Sequence, residues 1–177
     1  MQKFLVLVVF LGLLSFPLAA QDYPKAEVFA GYQYERLNNI VGSGIDINGN
    51  GWNAALTGNF NHWFGVTADF SGAYKTINSV DTRVYTYTGG PVVSLNSGGT
   101  INPFVHALFG GAHASFSAPG SGSPSDNGFT MMYGGGVDIK MNRLLALRGQ
   151  VDWIYFHFSD ASLSNNVRVS TGVVLRF

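Results

Sequence analysis

The chain contains no cysteine, which excludes a disulfide scaffold and a lipid anchor on an N-terminal cysteine. It is also poor in charge: 11% of residues are Asp, Glu, Lys or Arg, against about 25% in an ordinary soluble domain. Ten basic residues offset ten acidic ones, so no basic footprint points to nucleic acid. Long apolar runs are lacking too. Past the N-terminal segment nothing approaches the roughly 20 apolar residues of a spanning helix. What is present is glycine (23 residues), an aromatic share of 14% and a hydrophobic share of 46%. Low charge with abundant aromatics and glycine fits an outer surface that meets lipid. A length of 177 residues suggests one domain.

The N-terminus reads as an export signal. Lys3 supplies a short positive region, Phe4 to Leu14 an apolar run, and Ala19-Ala20 the small residues of a cleavage site. The apolar run is too short to span a membrane as a helix. The expected division is a signal peptide over residues 1–20 and a mature domain over 21–177.

The last segment organises the rest. From Asn166 to the final Phe177, Val167, Val169, Thr171, Val173, Leu175 and Phe177 alternate with Asn166, Arg168, Ser170, Gly172, Val174 and Arg176. A strand sends alternate side chains to opposite faces, so this one is apolar on one face and mostly polar on the other. An amphipathic strand ending in an aromatic resembles the C-terminal strand of bacterial outer-membrane β-barrels. The resemblance implies an assembly signal at Gly172, Leu175 and Phe177. It also implies contact with periplasmic chaperones, the barrel-assembly machinery and outer-membrane lipid.

The same alternation recurs upstream. Strands are expected at about 26–35, 51–60, 64–74, 83–95, 101–115, 129–141, 143–156 and 166–177. Short turns at Asn61-His62, Asn96 to Gly99 and Asn142 alternate with long polar loops after the first, third, fifth and seventh strands. Pro91 beside Gly89-Gly90 suggests a bulge. The expected fold is all-β: an eight-stranded antiparallel up-and-down transmembrane β-barrel, with both termini in the periplasm. Aromatics near strand ends (Tyr34, Trp52, Tyr74, Trp153, Tyr155 at one end; Phe60, Phe64, Phe177 at the other) would form interfacial girdles. The chain resembles the OmpA-like and related eight-stranded families along nearly all of its mature length, most specifically in LALRGQVDWIYF (145–156) and NNVRVSTGVVLRF (165–177).

The charged residues fall on the polar face: Glu27, Glu35, Asp69, Asp138, Lys140, Arg148, Asp152, Arg168 and Arg176. A charge facing lipid at mid-membrane costs about 2–4 kcal/mol, so these are expected inside as a structural network. Facing residues of an antiparallel pair have a constant number sum. If Glu27 faces Arg176 then Glu35 faces Arg168, and both pairs are expected to fix closure, each near one rim.

Other motifs carry less. His157-Phe158-Ser159-Asp160 resembles the His-x-Ser-Asn segment of outer-membrane lipid A deacylases, but the next strand holds Ser170, Thr171 and Gly172 where that family has a Glu. A Ser–His pair without its orienting acid lacks its third member. Asp46 to Gly51 matches the first half of a calcium loop, with Thr57 where the bidentate Glu belongs. His62, His106, His113 and His157 are not at metal-ligand spacing, and the glycine groups lack a strand–helix context for phosphate. The resulting expectation is a monomer without cofactor, metal or catalytic site, with a structural or surface-interaction role. A narrow porin-like conduit and a lipid A-modifying enzyme are the alternatives. A soluble lipocalin-like barrel would instead turn its apolar face inward around a ligand.

Overall fold

The computed structural model describes residues 23–37, 47–77, 80–117, 125–157 and 162–177. These form β1 (Ala26–Leu37), β2 (Ile47–Asn59), β3 (Phe64–Ile77), β4 (Val80–Ser94), β5 (Ile101–Ser117), β6 (Ser125–Lys140), β7 (Leu145–His157) and β8 (Ser162–Arg176). Each pairs antiparallel with the next, and β8 closes on β1. No helix among the described residues is long and apolar enough to cross a membrane.

The registers define the barrel's shape. Facing residues traced around the wall from Glu35 run through Arg168, Asp152, Gly134, His106, Val92, Gly65 and Asn59. The walk returns to β1 at Lys25, whose carbonyl accepts from Asn59 N, ten residues below its start. A stagger of this size goes with strongly tilted strands. Closure extends to the last residue: Phe177 N donates to the Ala26 carbonyl, and its own carbonyl accepts from Lys25 N and Ala26 N.

The end carrying both termini has tight turns, and two are built alike. Asn61 Oδ1 accepts from the amides of Trp63 and Phe64, and Asn142 Oδ1 from those of Leu144 and Leu145, the side-chain-to-backbone bonds that make Asn a turn former.

The far end departs from expectation. The stretch expected as a loop over 76–82 is largely strand: β3 and β4 stay paired to Ile77↔Val80, with two positions between them. β2 begins at Ile47, β6 at Ser125 and β8 at Ser162, so much of the polar sequence expected in loops is strand. Pro91 makes no bulge. The β4–β5 pairs stop at Gly89↔Phe109 and resume at Val92↔His106 in the same register. The register shift lies instead between Ile154 and Phe156, where β8 has the extra residue.

Side chains alternate as expected, most cleanly in β7. Leu56, Val66, Phe70, Val105, Leu147 and Val173 are exposed on the outer face, while Gln33, Asn53, Asp152, Asn166 and Arg168 are buried within. Ion pairs and polar side chains share the interior with buried Phe29, Leu108, Met132 and Phe156, inside an apolar surface that a soluble lipocalin-like barrel would not present. Aromatic rings gather toward both ends, with Trp63 and Phe60 exposed near the terminal turns and Tyr133 stacked on Trp153 6.0 Å away.

Candidate functional site

The inner face gathers charged residues from five strands into two clusters. The lower one, toward the termini, centres on Arg148 of β7. Its guanidinium forks onto Asp138, the facing residue on β6, at 2.7 and 2.8 Å, and reaches Glu27 of β1 at 3.2 Å. The rings of Phe104 and Phe29 flank it at 4.5 and 5.4 Å, in the range of cation–π attraction. Gly31 leaves room for the Phe29 ring, which a Cβ there would meet at 2.7 Å, and it faces Gly172 across β1 and β8. A side chain at Gly172 would collide with the Ala30 carbonyl and Gly31. Arg176 Nε lies 3.4 Å from Glu27 Oε1 without hydrogen-bond alignment. Its Nη2 donates to the Ser97 carbonyl at 2.7 Å, tying β8 to the β4–β5 turn across the lumen. Ser97 Oγ in turn donates to the His62 carbonyl.

Arg168 of β8 holds the upper cluster. It is wholly buried. Nε and Nη2 bind Asp152 at 2.9 and 2.7 Å, and Nη1 and Nη2 bind Asp69 at 2.9 and 3.3 Å. Asp152 also receives Gln150 at 3.0 Å and meets His106 Nε2 at 2.8 Å, while Asn53 donates to Asp69 at 2.9 Å. His106 and Asp152 sit on β5 and β7 with Gly134 between them in the same row. A Cβ at Gly134 would fall on the Asp152 carboxylate. Gly134 therefore makes room for the Asp152 carboxylate.

Eight of the nine charged residues expected inside are buried in the lumen, but not all pair as expected. Glu35 does face Arg168 across β1 and β8. Arg168 nevertheless turns to Asp152 and Asp69, and Glu35 is left with Gln33 Nε2 at 3.5 Å. Nor is this pair solvated at a rim: Glu35 is 1% exposed. Lys140 is half-exposed at the end of β6 and lies outside both clusters. His106, Asn53 and Gln150 also belong to the network; their inward parity along the strands is the sequence signal that could have found them.

His157 ends β7 on the outer face, and Ser159 and Asp160 lie outside the described residues, as do residues 1–20 and Asp46. Asn48 to Gly51, from the calcium-like stretch, run as strand paired with β1. Among the described residues no group of three His, Asp or Glu could hold a metal ion. Between the clusters, Glu27, Asp69, His106 and Arg148 line a gap of about 10 Å³, room for about one water.

A sequence profile of the outer membrane protein beta-barrel domain matches residues 6–177. The chain belongs to that family. A comparison with curated protein sequences finds no match. Among solved structures, the barrel is similar to Neisserial surface protein A (TM-score 0.73, 15% identity, covering 86% of this chain and 97% of that one). It is also similar to Ail, the attachment invasion locus protein of Yersinia pestis (0.65, 23%, 88% and 99%). A third is the N-terminal barrel domain of Pseudomonas aeruginosa OprF (0.60, 9%, 88% and 99%). These identities establish a shared fold. For an outer-membrane barrel the short-turn end faces the periplasm and the far end faces outward. The 17 residues of β5 and 16 of β6 exceed the roughly 9–11 needed to cross the apolar band, so this hairpin projects outward beyond it.

Proposed function

We propose that this is a non-conducting outer-membrane barrel whose role is structural or surface-interactive, with its projecting hairpins as the interacting parts. The observation that carries this reading is the filled lumen: two ion-pair clusters span the interior and leave about 10 Å³ between them. An eight-stranded barrel is just wide enough for side chains to fill, and here buried charges cross-link β1, β3, β6, β7 and β8. Planar-bilayer recording tests it. The expected record is that of the bare bilayer; stable unitary steps would replace this reading with the conduit. The enzymatic alternative rests on His157 and Ser159 alone, and an unchanged lipid A mass spectrum on expression of wild type and of Ser159→Ala is the expected result.

Export by the residue 1–20 signal and assembly through Gly172, Leu175 and Phe177 belong to the same proposal. Phe177 has an exposed ring on the outer face, where an assembly factor can reach it. The mass of the purified mature protein checks cleavage after Ala20.

A further inference from the structure

We propose that Gln33, Glu35 and Ser170 form a binding site for one alkali-metal cation inside the outward half of the lumen. The described inner face carries five carboxylates (Glu27, Glu35, Asp69, Asp138, Asp152) and three guanidiniums (Arg148, Arg168, Arg176). The ion pairs account for four of the carboxylates: Arg168 binds Asp69 and Asp152, Arg148 binds Asp138 and Glu27, and Arg176 adds to Glu27. His106 is already on Asp152. Glu35 is the carboxylate without a cation, and it is 1% exposed. An unpaired charge kept from water is costly, so Glu35 either holds a proton or is offset by a cation.

The surroundings are built for a hard cation. Three buried oxygens there have no hydrogen-bond partner: Glu35 Oε1, Gln33 Oε1 and Ser170 Oγ. Gln33 is 0% and Ser170 1% exposed. They are neighbours by register, since Gln33 faces Ser170 across the β1–β8 seam and Glu35 lies two residues along on the same face. Gln33 spends its amide NH2 on Glu35 Oε2, which leaves its oxygen to accept. Ionised Glu35 and the Gln33 carbonyl are both acceptors and cannot satisfy each other. A bridging water would fill hydrogen bonds but leave the charge. Carboxylate, amide and hydroxyl oxygens suit a hard cation, whereas a divalent ion is ordinarily held by more than one carboxylate.

Sodium is the probe. The full mature barrel is unfolded by urea in phosphatidylcholine vesicles, which carry no net charge, at a fixed pH near 8. Choline replaces sodium at constant ionic strength, so that general screening is held fixed. A ligand bound by the folded state alone raises the folded-to-unfolded ratio as one plus its concentration over Kd. Above Kd the ratio should therefore rise about tenfold per tenfold increase in sodium. Stability of the wild type that ignores the exchange of choline for sodium overturns the proposal, and leaves a proton or water as the occupant. Glu35→Gln should fold and lose the sodium dependence; a retained dependence places the ion elsewhere and also overturns it. If Glu35→Gln does not fold, Ser170→Ala decides: its sodium midpoint should move to higher concentration, and an unmoved midpoint refutes the assignment.

Discussion

Arg168→Met tests the upper cluster most directly. The substitution keeps much of the side-chain volume and removes the guanidinium that binds Asp152 twice and Asp69 twice. Asp69 is 2% and Asp152 0% exposed, so two carboxylates would share an enclosed space. His106 would still meet Asp152, and Asn53 would still donate to Asp69, but neither contact reproduces a guanidinium bound to both carboxylates. Breaking a buried pair by removing one partner costs about 3–5 kcal/mol. Urea unfolding in phosphatidylcholine vesicles, followed by the fluorescence of Trp52, Trp63 and Trp153, should show a loss in that range. The companion variant combines Arg168→Met with Asp69→Asn and Asp152→Asn. Without stranded charges it should recover most of the loss, because well-packed neutral replacements of buried ion pairs are often close to neutral. The non-additivity is the signature of the network. A single-variant cost below about 1 kcal/mol would mean that water reaches the cluster and the lumen is not sealed. A triple variant as unstable as the single would refute the charge argument.

Three further outcomes follow from the geometry. Val173→Arg places a charge on the lipid face, where Val173 is 43% exposed, and should cost up to about 2–4 kcal/mol in the same assay, according to its depth. Phe177→Ala keeps the closing backbone bonds to Ala26 and Lys25, so its refolding in vesicles should change little while its folded yield in the outer membrane drops; equal yields would remove Phe177 from the assembly signal. Cysteines at positions 27 and 176 should crosslink readily and those at 27 and 174 less so. Ala26 and Phe177 exchange both backbone bonds, which makes 27 and 176 a non-hydrogen-bonded pair about 4.5 Å apart at Cα, within disulfide reach.

The fold was legible where each strand had lipid on one side and lumen on the other. That asymmetry writes a period of two into the sequence, as in β7, and it placed Glu27, Asp69, Arg148 and Arg168 on the inner face. The signal stops where the asymmetry stops. Beyond the apolar band a strand can have water on both sides and is held mainly by its backbone ladder. Polar stretches such as Asn48 to Asn50 and Thr76 to Thr82 then read as loops although they pair throughout most of their length. Pro91 misled for a related reason. A missing N–H need not shift the register; the β4–β5 ladder omits two pairs and continues unchanged.

Partner choice was less legible than register, and the reason lies in the barrel's cross-section. Three ion pairs join facing residues: Asp138–Arg148, Asp152–Arg168 and Glu27–Arg176. Constant-sum arithmetic on β6–β7 and β7–β8 would have found the first two as it found the third. Arg168, however, faces Glu35 on one side and Asp152 on the other, and register cannot rank them. The choice is made across the lumen. Asp69 on β3 approaches from the opposite wall, and a guanidinium directed inward can bind it and Asp152 together, whereas one turned to Glu35 would strand both. Charge-assisted, forked contacts to two carboxylates outweigh one facing pair. Glu35 is thus left over by a competition among strands far apart in sequence, which no pairwise reading of neighbours contains.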